Sequence, residues 1–299
     1  MTTTLITQDD LSYARPKPKD WDGEDYIWCQ EKHDGWRVTV FVPEKGKIRA
    51  IPRKQDLNIW PAMSRIPGMV EAVERFRWPT VVDGELHSVN GLPATSVPTL
   101  LRDDPGGLRF SPFAFPLVRG AYLPDLEAAT ADAKGLLGDL DGGAIWVRNP
   151  ITRERVFEMM GEQTERELLL STAASHDLEG WVLKKAHLDG WYRIKRTHTI
   201  DVVCMDTVAG KGKWTGLLGS VVVGLHDDEG VLRKVGTVGG WSEEERIDLT
   251  DDDVLGRVLE VEFQSVTEAG QMQFARRIRF RDDKAAEECH EEGWTWAEG

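Results

Sequence analysis

Five short β-prone runs crowd the last third of this 299-residue chain, and they restrict its fold more than any other feature. They span 200–205, 220–225, 231–235, 258–263 and 274–280, and glycine-rich or acidic loops separate them. Five strands within about 80 residues predict a Greek-key barrel of the OB type. A short helix is expected at 242–249, and the boundary before the barrel near 197–199. The first two thirds mix strands with helices instead. Val38, Val40 and Val42 alternate in a β-prone run. Val81-Val82 leads into Asp83-Gly84-Glu85, where a strand is expected to end and turn at the glycine. Residues 180–183 and 193–195 read as strands, and 125–137 and 162–174 as helices. Thr164 would cap the second helix, with Glu167 three residues on. The predicted fold class is α+β: antiparallel sheets with helices over 1–198, then a β-barrel over 199–299 ending in an acidic tail.

The chemistry is concentrated in Lys32-His33-Asp34-Gly35-Trp36-Arg37. A lysine attacks phosphorus only as the free amine, and its ordinary pKa of about 10.4 leaves few copies competent at neutral pH. Neighbouring cations and burial lower that value. Arg37 supplies a nearby cation, Gly35 permits a tight turn, and His33 could titrate or merely pack. Four more charged motifs follow in order: Asp83-Gly84-Glu85, Glu179 to Lys184, Trp191 to Lys195, and Arg281 to Lys284. A carboxylate such as Glu179 can bind a divalent cation, and a lysine such as Lys184 can hold phosphate oxygens. Arg193 and Lys195, two apart, would share one face of a strand.

This ordered set resembles the covalent nucleotidyltransferases: ATP-dependent DNA ligases, RNA ligases and mRNA capping enzymes. The stretch from Gly210-Lys211-Gly212-Lys213 through Ser242-Glu243-Glu244-Glu245, together with the ending at Lys284, is similar to the OB domain of ATP-dependent DNA ligases. The resemblance implies a nucleotidyltransferase domain followed by an OB barrel, and a minimal ligase that seals nicks in duplex DNA. ATP would be the AMP donor, with Mg²⁺ or Mn²⁺. Lys32 would carry AMP, with Asp34, Arg37, Lys184 and Lys195 as catalytic partners. Gln30 would read the adenine amine beside Glu31, Phe115 would stack on the base, and Glu85 would hold the ribose. Arg37 and Arg53 would contact the nick phosphate and its sugar. Lys184, Arg193 and Lys195 would contact the α-phosphate, and Arg281, Asp283 and Lys284 the departing pyrophosphate. Glu85 and Glu179 are the candidate metal carboxylates. Pro116 stands where relatives carry an acid, which leaves Phe113 as an alternative to Phe115. Gln30 and the OB details favour adenine and DNA over guanylyl transfer or RNA joining, and the intact motifs disfavour a non-catalytic nick-binding protein. Since Arg281 and Lys284 fall outside the domain of Lys32, a domain rotation gated by adenylylation is expected.

Charge qualifies this reading. The formal net charge is −14, and from Thr199 onward 22 acids face 11 bases, so −11 of it lies in the last third. That argues against indiscriminate binding to nucleic acid but allows a local basic surface. Acids and bases there are each clustered, which suggests one acidic and one basic face. The stretch before Lys32 is shorter than the separate DNA-binding domain of larger relatives, so weak, salt-sensitive DNA binding by the two predicted domains is expected. The three cysteines, Cys29, Cys204 and Cys289, form no metal or disulfide framework. No secretory signal or run of about 18 apolar residues is present. A monomeric protein of a bacterial or phage-infected cytoplasm fits these features.

Overall fold

The structure, a computed structural model, describes residues 17–53, 57–176, 178–267, 269–290 and 294. Contacts divide the chain between Lys195 and Arg196 into two units. The first unit contains two sheets. One carries, in spatial order, β1 (Lys19–Asp20), β9 (Trp191–Lys195), β8 (Gly180–Lys184), β2 (Trp28–Lys32) and β7 (Ile151–Thr152). The other carries β4 (Lys47–Pro52), β3 (Gly35–Glu44), β5 (Thr80–Ser88) and β6 (Leu108–Leu117).

Alternation sets the two faces of each sheet. On the second sheet Val38, Val40, Val42, Val82, Leu86 and Phe110 point into a core shared with helices Met69–Arg75 and Leu126–Leu137. Each such buried side chain contributes about 1.5–3 kcal/mol. Arg37, Asp83, Glu85, His87 and Ser111 are left for the opposite face. On the first sheet Cys29, Trp181, Leu183 and Ile194 pack beneath, against helix Glu165–Ser175. Thr164 caps that helix, in a reciprocal box with Glu167.

Two glycines behave differently from the expectation. The strand does not end at Gly84: β5 continues to Ser88, because Gly84 pairs with Val38 and Pro112 inside the sheet. A Cβ there would meet the Phe110 ring at 2.6 Å. Gly35 is likewise no turn residue but the first residue of β3, where a Cβ would lie 2.4 Å from the Leu86 carbonyl oxygen. Both serve close packing rather than a left-handed bend.

The second unit is the five-stranded sheet expected for the barrel. Its order is β12 (Leu232–Val238), β11 (Leu218–His226), β10 (His198–Ala209), β13 (Val258–Phe263) and β16 (Arg276–Phe280). A small hairpin of β14 (Ser265–Val266) and β15 (Met272–Gln273) precedes β16, and helix Glu243–Asp248 is capped by Ser242. Val202, Val221, Val223, Leu225, Val235, Leu259 and Val261 form the core. The expectation of separate acidic and basic faces is corrected here. Register sets Glu260 opposite Arg279 and Glu262 opposite Arg276, each pair 2.7 Å apart, and Arg277 reaches Glu245. Opposite charges on neighbouring strands stabilise one another, so the clusters interleave. Most of the acidic tail lies outside the described residues. No helix among the described residues is long and apolar enough to cross a membrane.

Gly84→Ala tests the packing account. The added methyl should overpack the interior and cost about 1–3 kcal/mol in denaturant unfolding; an unchanged midpoint would refute it.

Candidate active site

Strand register assembles the site. Lys32 lies opposite Gly180 on β8, and Gly180 lies opposite Lys195 on β9. Glu179, one residue before β8, sits between the two ammonium groups. Its Oε2 accepts from Lys32, and its Oε1 is 2.7 Å from the Lys195 Nζ. Two strand positions behind Lys32, Gln30 is only 5% exposed, and its buried Oε1 has no hydrogen-bond partner. An unsatisfied buried acceptor is costly, so this atom marks a position suited to a donor from outside the chain.

The second sheet supplies the opposing wall. Arg37 holds Asp83 through two nitrogens, at 2.7 and 3.1 Å, and Thr39 adds a 3.2 Å hydrogen bond to the same carboxylate. The guanidinium lies over Phe113 and Trp191, 5.2 and 5.3 Å from the ring centroids, which links the two sheets. Glu85, beside Arg37 on β5, has its pKa pushed up to about 8, chiefly by burial. Lys32 and Arg37 oppose that shift, whereas Glu179 and Asp83 add to it.

His33 stacks flat on His87, with centroids 4.2 Å apart. The His87 Nδ1–H donates to the Ser88 carbonyl, so its Nε2 accepts from Ser111. Burial pushes His33 down to about 3, helped by His87, Arg148 and Lys32. It is therefore neutral at physiological pH, and packing is its role. Glu31 takes Arg148 as partner, and the exposed Asp34 accepts from the Ala94 amide at 3.2 Å.

Several expected site residues are placed elsewhere. Lys184 is fully buried four residues behind the level of Lys32, about 13 Å along the strand. It donates to the Phe113 carbonyl and lies 3.9 Å from the Trp191 ring centroid, so it does not sit beside Glu179. Burial holds its pKa well below the ordinary lysine value. Phe115 is also corrected. Register steps from Pro112 opposite Gly84 to Ala114 opposite Asp83, so Phe113 is an extra, bulged residue. The bulge turns Phe115 into the core at 0% exposure and leaves Phe113 against the site. Arg193 and Lys195 part company, because Arg193 pairs with Asp20 at 2.7 Å. The Arg53 amide donates to the Arg37 carbonyl, and its side chain is exposed.

In the second unit, Arg281 and Lys284 both reach Asp201 on β10 at 3.0 Å, and Arg281 holds Asp283 at 2.8 Å. Arg281 holds Asp283 down to about 2. Sequence reasoning missed Asp201, whose only signal is an acid interrupting an apolar run. It also missed His87 and Arg148, which no motif marks.

Residues 209–281 match the family model of the DNA ligase OB-like domain. A probable DNA ligase of Streptomyces griseus subsp. griseus is 28% identical over 87% of this chain and 57% of its own length. One from Beutenbergia cavernae is 25% identical over 89% of this chain and 57% of its own length. Over most of its length this chain is similar to proteins described as probable DNA ligases. It spans a little over half the length of those relatives. A solved structure from a structure–function study of Lig E DNA ligases shares the fold, with a TM-score of 0.61 and 21% identity over 89% of this chain and 98% of that one. The ligase fold thus accounts for the two-sheet first unit and the OB-like second.

Two measurements check the electrostatics. The folded pKa of Glu85 is raised from an ordinary 4.5 to about 8, so the folded state binds the extra proton between those values. Stability should fall as pH rises through that window and level off above it. Glu85→Gln should remove the dependence; an identical pH profile for the variant would contradict this. Asp83→Ala strands Arg37 without its buried partner and should cost about 3–5 kcal/mol by chemical denaturation.

Proposed function

We propose that this protein is an ATP-dependent DNA ligase that joins a 5′-phosphate to a 3′-hydroxyl at nicks in duplex DNA. The observation that carries the reading is the Lys32–Glu179–Lys195 array beside the orphaned acceptor of Gln30. The Lys32 Nζ would attack the α-phosphorus of ATP, forming a P–N bond as the bond to pyrophosphate breaks. Glu179, already in contact with that amine, would hold the proton it gives up. Lys195 would stabilise the charge that develops on the phosphate oxygens. AMP would then pass to the 5′-phosphate of the nick. Attack by the 3′-hydroxyl would expel AMP and close the strand.

Adenine's exocyclic amine is a donor, whereas guanine presents an oxygen at that position. Gln30, with its oxygen turned inward, suits the former. The aromatic beside the site is Phe113, and we assign it the base-stacking part in place of Phe115. Glu85 and Glu179 are the carboxylates that would hold a divalent cation, since Mg²⁺ is commonly bound by one or two carboxylates with substrate phosphates completing its shell. Such an ion would neutralise phosphate charge. Arg281, Asp283 and Lys284 form one cluster around Asp201, which we propose engages the pyrophosphate.

Incubation with α-labelled ATP and Mg²⁺ should mark the wild type, and Lys32→Ala should abolish the label. Equal labelling by GTP would favour guanylyl transfer instead. Gln30→Ala should raise the ATP concentration needed for half-labelling by roughly 2- to 10-fold, the value of one neutral hydrogen bond. If mass spectrometry of the ATP-treated protein shows no AMP on Lys32, the proposal fails.

A further inference from the structure

Beyond the nucleotide site, the face that carries Glu85 and His87 continues past its sheet. Ile145 bridges Phe110 of β6, and the Trp146 amide donates to the Phe110 carbonyl at 3.0 Å. Residues 145–148 therefore run beside β6 as an extended segment. Ile145 and Val147 are buried, which turns Trp146 and Arg148 outward. Arg109 on β6 precedes Phe110 and shares the outward parity of Ser111. The result is a compact group: the Arg148 and Arg109 guanidiniums lie over the Trp146 ring, 4.1 and 4.7 Å from its centroid.

We infer that Arg109, Trp146 and Arg148 form a contact surface for the phosphodiester backbone of the nicked strand, next to Lys32. The inference rests on the DNA-joining reading and adds residues that no motif supplied. Three features carry it. First, Arg109 has no carboxylate partner among the described residues; its Nε donates to the Gly143 carbonyl at 3.0 Å, which leaves its outer nitrogens available. In a chain of net charge −14, an uncompensated guanidinium is a local departure from the overall sign. Second, both guanidiniums lie over the ring of one half-buried tryptophan, which favours their position, and a planar fork suits phosphate oxygens. Third, the Arg148 side chain is 39% exposed and is held by Glu31, the residue adjoining Lys32. A backbone phosphate can replace that carboxylate on Arg148, so strand binding and the segment carrying the nucleophile share one side chain.

The test uses the full chain, pre-adenylated, with a nicked duplex labelled for fluorescence anisotropy across a salt series. Arg109→Gln with Arg148→Gln should weaken binding at least tenfold near 0.1 M salt and flatten the slope of log affinity against log salt by about two, one per lost phosphate contact. Arg109→Lys with Arg148→Lys should restore most of the slope. Arg109→Gln alone should accept AMP from labelled ATP as the wild type does, which shows that the fold and nucleotide pocket survive. Unchanged affinity and slope in the double glutamine variant would overturn the inference while leaving the ligase reading intact. Wild-type protein that takes up AMP yet neither binds nor seals the nicked duplex would overturn the parent reading instead.

Discussion

One carboxylate held between two ammonium groups organises the first unit. Glu179 cannot sit there unless β2, β8 and β9 keep their register, because that register alone brings Lys32 and Lys195 to the same level across Gly180. Gly180 is the residue that makes this possible. A Cβ at that position would lie 2.0 Å from the Ile194 carbonyl oxygen, so any larger residue would push β9 away. The site's charge balance is thereby tied to a packing constraint at Gly180.

The opposing sheet adds a second electrostatic layer. Asp83 is buried, and its charge is tolerated because Arg37 meets it through two nitrogens and Thr39 completes its hydrogen bonding. Glu85, two residues along the same strand, has no comparable partner, and burial drives it toward the neutral form. The neutral His33–His87 stack fills the space at the end of the same face without adding charge. Lys184, buried on Trp191 and Phe113, forms part of the link between the sheets.

The second unit follows the same logic with a different outcome. Arg276 and Arg279 are drawn into cross-strand pairs with glutamates and Arg277 pairs with Glu245 of the short helix, so much of its positive charge is locally matched. Arg281 and Lys284 converge on Asp201 because β13 pairs with both β10 and β16 and so holds the two strands near each other. Seen this way, a net charge of −14 is compatible with phosphate chemistry. What matters is where cations remain unmatched, and Arg109 is such a place.

Much of the architecture was legible in the chain. The alternation of Val38, Val40 and Val42, the Thr164 cap and the five runs after Thr199 are local patterns, and local backbone physics suffices to read them. The order of the charged motifs likewise pointed to Lys32 and Glu179 as residues of one site. Other features depended on partners far along the chain. Parity alone would place Phe113 and Phe115 on the same face, but a bulge opposite Asp83 and Gly84 sends Phe115 into the core. Spacing within one segment suggested that Glu179 and Lys184 act together, whereas strand register carries Lys184 four residues away from the level of Lys32. Sequence settles which residues alternate, cap and turn, because those preferences act over a few bonds. Only tertiary structure decides which charge meets which, because an ion pair depends on distance in space, and register and bulges set that distance between residues many positions apart.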